Sequence, residues 1–399
     1  MSPPSPARRW AVLAAFVFVA LVTQLLWLNF APLIGLVEER YGVDELTASG
    51  LVLVFPLLYV VFSVHAGRLV DRRGYRWTVG MGAVVTAVAS LLRLDTDHFA
   101  SIMAGQIGIA IAQPYVVNGI SKLVADWFTG EEAVLATGLG TVGLFLGMAI
   151  GMASTPALVD AVGLRGTMAI NSVIAGAAAV VWFAACRERG VAEAENPSPL
   201  RVLLTNRRLM HLIGLTLLGL GFFNGLTTWL EQLLAPRHID AEQAGLIGGA
   251  IIVGGIAGAI VVPALADRYR VRKWPLVACV GLAGAFSAWT AVAPSYGQLL
   301  VAGALLGFWF MPAFALLLTM CSEVVKPRDN GAATSLLMLA GNGGGVLVIL
   351  ATPAMGAWTT RGPFAFLVAL TAATLATALF LGETRPRVTG LQAAATKSA

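Results

Sequence analysis

Charge is scarce in this 399-residue chain. Asp, Glu, Lys and Arg together make 12%, about half the share of an ordinary soluble protein. Such a sequence cannot cover a water-soluble surface of its own length. Histidine (4) and cysteine (3) are scarce as well. Cys186, Cys279 and Cys321 each lie in or beside an apolar run, so neither a disulfide scaffold nor a cysteine metal site is expected. There is no G-x-x-x-x-G-K-[ST] phosphate loop, no H-E-x-x-H helix and no G-x-S-x-G elbow. These absences argue against ATP-driven work by the chain itself and against the commonest hydrolase chemistries. The expectation is a protein that is not an enzyme and carries no metal or other cofactor.

Apolar length is abundant, with 58% of residues hydrophobic. A bilayer-crossing helix needs roughly 20 apolar residues. Runs of that size stand at 10–37, 47–70, 76–96, 98–125, 133–159, 166–186, 209–235, 243–266, 274–293, 297–325, 330–356 and 364–382. They predict an all-α polytopic membrane protein with twelve transmembrane helices. The first run follows Arg8 and Arg9, exceeds the apolar core of a signal peptide and lacks a convincing cleavage site, so it is expected to be retained. With both termini placed in the cytoplasm, 21 of the 26 basic residues fall on inner segments. Arg40, Arg93, Arg165, Arg237 and Arg361 remain outside, which is the asymmetry of the positive-inside rule for a cell-membrane protein. The formal charge of +5 is therefore a topology signal. No nucleic-acid partner is expected from charges so scattered.

The chain also repeats itself. Gly67-Arg68-Leu69-Val70-Asp71-Arg72-Arg73-Gly74-Tyr75-Arg76 follows the second run, and Pro263-Ala264-Leu265-Ala266-Asp267-Arg268 follows the eighth at an offset of 196. Gln113-Pro114 and Met311-Pro312 match at 198. The most polar stretch, 187–208, separates the copies, which predicts a six-helix half over 1–186, a cytoplasmic linker over 187–208 and a second half over 209–399. G-x-L-x-D-R-x-G-x-R between spans two and three resembles the signature loop of the major facilitator superfamily at every defining position. That resemblance implies a secondary transporter, a monomer, whose halves expose a midplane site alternately to each side. It also implies gating contacts. Asp71 would face the start of span eleven, where Arg328 and free backbone N–H groups stand, and Asp267 the start of span five. Glu188 and Glu383 would pair the loop arginines Arg72, Arg76 and Arg268, Gly67 belongs to the motif, and Gly74 would allow the tight turn.

The superfamily lines its site with spans one, four, seven and ten. Polar and aromatic groups there that lipid would not welcome are Trp27 and Asn29, Gln113 and Tyr115, Asn224 and Glu231, and Trp309, with Asn342 added from span eleven. Each amide could instead bridge helices. Glu231, an acid within a span, could attract a cation, carry a proton or pair with an arginine. Gly143, Gly147 and Gly151, spaced by four, are expected to let helices approach closely.

Several short pieces resemble a narrower branch, the FLVCR-type haem/choline transporters. They are Trp27 sixteen residues before Val43 in Tyr41-Gly42-Val43, Ala112-Gln113-Pro114-Tyr115 with Lys122 and Trp127-Phe128 downstream, and Glu323 shortly before Pro327. The resemblance implies that Trp27 and Gln113 contact a choline-like ligand, its cation over the indole. Where that branch has a span-seven tyrosine and a span-eleven glutamine, this chain has Asn224 and Asn342. His65, His98, His211 and His238 are too dispersed to bind haem. The expected substrate is a small cationic or zwitterionic metabolite, with a coupling proton or cation left open. The alternative is a proton-coupled drug or metabolite exporter of the same fold.

Overall fold

The computed structural model describes residues 6–128, 131–187, 200–269, 271–326, 329–356 and 362–384. The side chains of Pro6, Asp71, Glu131, Val134, Leu200 and Asp267, although their backbones are helical, lie outside that description.

The apolar runs fold as α1 (Pro6–Leu28), α2 (Ile34–Tyr41), α3 (Glu45–Arg73), α4 (Tyr75–Leu92), α5 (Phe99–Val117), α6 (Gly119–Trp127) and α7 (Glu131–Ala185). A short α8 (Leu200–Leu204) precedes α9 (Arg207–Leu234), α10 (Ala241–Arg268), α11 (Lys273–Val292), α12 (Tyr296–Val324), α13 (Asn330–Gly356) and α14 (Gly362–Leu379). No strand occurs among the described residues. Polar side chains start several helices: Asp44 accepts from the Thr47 N–H at 2.9 Å, and Asn206 from those of Arg208 and Leu209. The Thr47 bonds hold the Asp44 carboxyl below the usual range.

Eleven helical stretches among the described residues are long and apolar enough to cross a membrane. One of them, Leu135–Ala185, has 51 residues, about 75 Å of helix and more than twice the bilayer core. It breaks at Gly163, where φ is 73° and ψ 167°. Both ends of α7 lie at the same end of the molecule. Glu132 takes a bidentate bond from Arg9, whose guanidinium lies over Phe128, while the carbonyls of Cys186 and Arg187 accept from Arg76 Nε and Tyr75 Oη. Trp127 donates to that same Tyr75 Oη and joins the two groups. The chain therefore reverses at Gly163, and α7 supplies two crossings, making twelve among the described residues.

The face carrying the α3–α4 and α10–α11 turns, here the loop face, also carries the start of α1 and the residues after α14. On the opposite face Arg40 and Tyr41 donate to the Thr96 carbonyl, and Arg237 donates to the carbonyls of Thr290, Ala291 and Ala293.

Glycine sets the packing within each group of six spans. Gly147 and Gly151 of α7 rest on the α1 backbone at Leu21 and Leu25, close enough that an added Cβ would collide with it, and Gly143 lies against Val17, where the Cβ would first meet the side chain. Gly344 of α13 meets the Leu217 carbonyl of α9 in the same way, one repeat later. Between the two groups, Gly245 and Gly249 of α10 lie against Met152, Ala153 and Pro156 of α7, near the opposite face. α13 also packs on α3. The linker expected over 187–208 contains α8, and its stretch 188–199 lies outside the described residues.

Candidate functional site

Span one is not a continuous helix. α1 ends at Leu28, a 3-10 turn follows at Ala31–Leu33 with Pro32 in its first turn, and α2 resumes at Ile34. Asn29 sits in the break, wholly buried, and neither its Oδ1 nor its Nδ2 has a protein partner. Interrupted helices at membrane depth are tolerated where they line a cavity or are buried in protein.

Two residues before the break, Trp27 donates its indole N–H to the Val52 carbonyl at 3.2 Å and stacks on Phe55 at 5.9 Å. That carbonyl is free for a physical reason. Pro56 lies four residues on in α3 and has no N–H to give it. The same device recurs in α13, where Pro353 leaves the Ile349 carbonyl to the indole N–H of Trp229 at 3.0 Å. Beside Val52, the Leu51 carbonyl accepts from Gln106 Nε2 at 3.0 Å, and Gln106 Oε1 accepts from Arg93 at 3.1 Å. Arg93, expected at the outer water boundary, is instead fully buried, with its guanidinium against Met168 and over the Phe30 ring. Sequence reasoning missed this hub because the apolar stretch simply stops near Arg93.

Unfilled polar atoms mark the interior. Gln24 Oε1 and Asn29 come from span one, Gln113 Nε2 from α5, and Asn224 Oδ1 and Thr228 Oγ1 from α9; all are buried and without a protein partner. Such groups are costly at membrane depth unless wet or liganded. Asn224 Nδ2 turns back to the Leu220 carbonyl at 2.8 Å, and its amide packs against Gly345 of α13. Asn342 likewise donates to its own helix, at Met338. Tyr115, beside Gln113 in sequence, bonds through its hydroxyl to Nδ1 of His65, an exposed histidine of α3. Trp309 goes elsewhere, into a groove shared with Val262 and Pro275.

Glu231 lies where the two groups of spans meet. Its carboxylate accepts from the backbone N–H of Gly35, in the first turn of α2, at 3.2 and 3.3 Å. A Cβ at Gly35 would stand 2.9 Å from Glu231 Oε1, so glycine permits the approach. A carboxylate at the N-terminus of a helix is also favoured by the helix dipole. Of the three roles expected for Glu231, the described contacts are these N–H bonds, not an arginine.

The signature loops hold each group together at the loop face. Gly74 has φ 82°, which L side chains rarely adopt, and starts α4. Arg76 reaches the end of α7 as described above, Arg72 and Arg268 stand exposed in the last turns of α3 and α10, and Gly67 lies inside α3. In the second copy Glu383 accepts from the backbone N–H groups of Arg272 and Lys273 at 3.1 to 3.2 Å, so the helix start takes this acid. The Arg272 guanidinium pairs instead with Glu323 at 3.1 Å, both largely buried, and Thr384 donates to the other Glu323 oxygen at 2.5 Å. Arg272→Ala should lower stability by about 3 kcal/mol by stranding that acid, and adding Glu323→Gln should recover part of it; denaturation midpoints of both variants check this. The expected gating roles of Asp71, Glu188, Asp267 and Arg328 fall on side chains outside the described residues.

The Major Facilitator Superfamily model matches residues 16–271 and 232–398, nearly the whole chain. This chain belongs to the Major Facilitator Superfamily. It is similar to the zebrafish protein named solute carrier family 49 member A3, at 26% identity over 89% of this chain and 80% of the relative. It is also 26% identical to the cat choline/ethanolamine transporter FLVCR1, over 86% of this chain and 67% of the relative. A Caenorhabditis elegans protein described as an uncharacterized MFS-type transporter is 24% identical, and this chain spans 61% of its length. Among solved structures, the fold matches a bacterial homologue of the lysosomal transporter Spinster in an inward-facing, unoccupied conformation, with TM-score 0.73 and 15% identity over 95% of each chain. The superfamily member described here is a multi-pass membrane transporter and not an enzyme. Among its described residues no cluster of His, Cys, Asp and Glu could hold a metal ion.

Proposed function

We propose that this transporter carries a small organic cation of the choline or ethanolamine class by alternating access, with the two six-span halves rocking about the polar interior. The observation that supports it most is the set of buried, unfilled amide groups on spans one, four and seven, with the buried Trp27 indole also on span one. A quaternary ammonium cannot donate hydrogen bonds and is held best by an aromatic face, while a primary ammonium suits amide oxygens and a ligand hydroxyl suits amide oxygens or nitrogens. The similarity to proteins named choline/ethanolamine transporters points the same way. In this reading Trp27, Gln113, Asn29 and Asn224 contact the ligand, and Tyr115, Asn342 and Trp309 act at a distance from it.

The contact of Glu231 with Gly35, together with Gly245 and Gly249 against α7, closes the opposite face. With the loop face in the cytoplasm, as the basic residues favour, this is an inward-facing state. The test is a thermal-shift screen of purified protein with choline, ethanolamine, amino acids, organic acids and sugars, followed by Trp27→Ala and Gln113→Ala. Choline or ethanolamine should raise the melting temperature, and each substitution should weaken that ligand about tenfold. A response confined to anions or sugars would remove the cationic substrate.

A further inference from the structure

Where α10 ends and α11 begins, an apolar groove of about 190 Å³ opens toward the membrane, walled by Val262, Leu265, Tyr269, Pro275, Ala278 and Trp309. It runs to the loop face, where the chain sets Arg268, Lys273 and Trp274. Lys273 Nζ lies 5.3 Å over the Trp274 ring, and Tyr269 and Trp274 are 70% and 63% exposed, as suits aromatic side chains at a membrane–water boundary. The neighbouring Arg272 is consumed by Glu323. The side chains of Arg268 and Lys273 have no carboxylate partner among the described residues. Two cations without a described carboxylate partner thus stand at the loop-face end of an apolar groove.

Lipid tails are as apolar as the groove, so burial alone selects nothing there. Selection falls to the headgroup, and cations at that depth favour a net negative one. We propose that this groove binds an anionic phospholipid, with one acyl chain along Val262, Leu265 and Trp309 and the phosphate between Arg268 and Lys273. The site is separate from the polar interior and does not depend on the substrate. Arg73 over Trp77 at 4.8 Å places a similar cation and tryptophan at the corresponding turn of the first half.

The experiment is native mass spectrometry of the full chain from mixed micelles of phosphatidylglycerol and phosphatidylcholine. Wild type should retain phosphatidylglycerol preferentially, and Lys273→Glu should weaken that retention at least about fivefold. Ala278→Phe, which keeps both cations and fills the groove, should weaken it as well. Equal retention of the two lipids by wild type would overturn the proposal without any variant. Loss in Lys273→Glu with full retention in Ala278→Phe would reduce the effect to surface charge and overturn the groove.

Discussion

Gly147→Ala is expected to abolish folded, monodisperse protein, whereas Gly176→Ala leaves it intact. A methyl on Gly147 would be driven into the Leu21 carbonyl, with the Leu21 carbonyl carbon and Cα at 2.8 and 2.9 Å. These are backbone atoms, so no rotamer change makes room. α1 cannot retreat alone, because Gly143 and Gly151 bind it at Val17 and Leu25 on either side. Overpacking of a dense interior costs about 1–3 kcal/mol even when side chains can move, and here they cannot. Membrane helices gain little from hydrophobic burial against each other, so close packing is what holds this pair. Gly176 has no atom within 4 Å of an added Cβ, and alanine favours helix. Size-exclusion profiles and thermal midpoints of the two variants decide it; a Gly147→Ala midpoint within about 2 °C of wild type would contradict the packing account.

The second large effect concerns the seam between the halves. Glu231→Ala removes the acceptor for the Gly35 N–H and with it a hydrogen bond to a charged group, worth about 1.5 kcal/mol or more. In the proposed alternating-access cycle the bond joins the halves only while the opposite face is closed, so its loss should act on the balance between states. A shift of that size changes the ratio of states about tenfold. Cysteines placed near Gly245 should then label faster from the opposite face, and Gly35→Ala, which crowds the same carboxylate, should move labelling in the same direction. Unchanged labelling in both variants would show that the seam does not depend on this contact.

Much of the fold was legible because hydrophobic length is a local property. The twelve runs and the duplicated loops needed no tertiary information. The reversal inside α7 was legible too, as a gap between two runs, although helical hydrogen bonding continues through it and only the backbone angles at Gly163 mark the turn. Contacts that join distant segments were less accessible. Glu383 also accepts from backbone N–H groups that no charge pattern announces, because a helix start offers free donors that sequence does not display. The place of Arg93 was missed, since a buried guanidinium depends on Gln106 and Phe30 from other helices. Pro56 and Pro353 did carry a signal, namely one free carbonyl each four residues earlier; which tryptophan fills it is a matter of packing. Within the candidate site, residue types suggested a chemistry but did not display their partners: Trp27 has its N–H committed to α3, and Trp309 turns to the groove with Val262 and Pro275.

The most direct test of a carrier for organic cations is counterflow in proteoliposomes loaded with unlabelled choline or ethanolamine and given a trace of the labelled compound outside. Alternating access predicts saturable uptake, a transient accumulation of label above equilibrium, and loss of both in Trp27→Ala with Gln113→Ala. Uptake that rises linearly with concentration and never overshoots would contradict it.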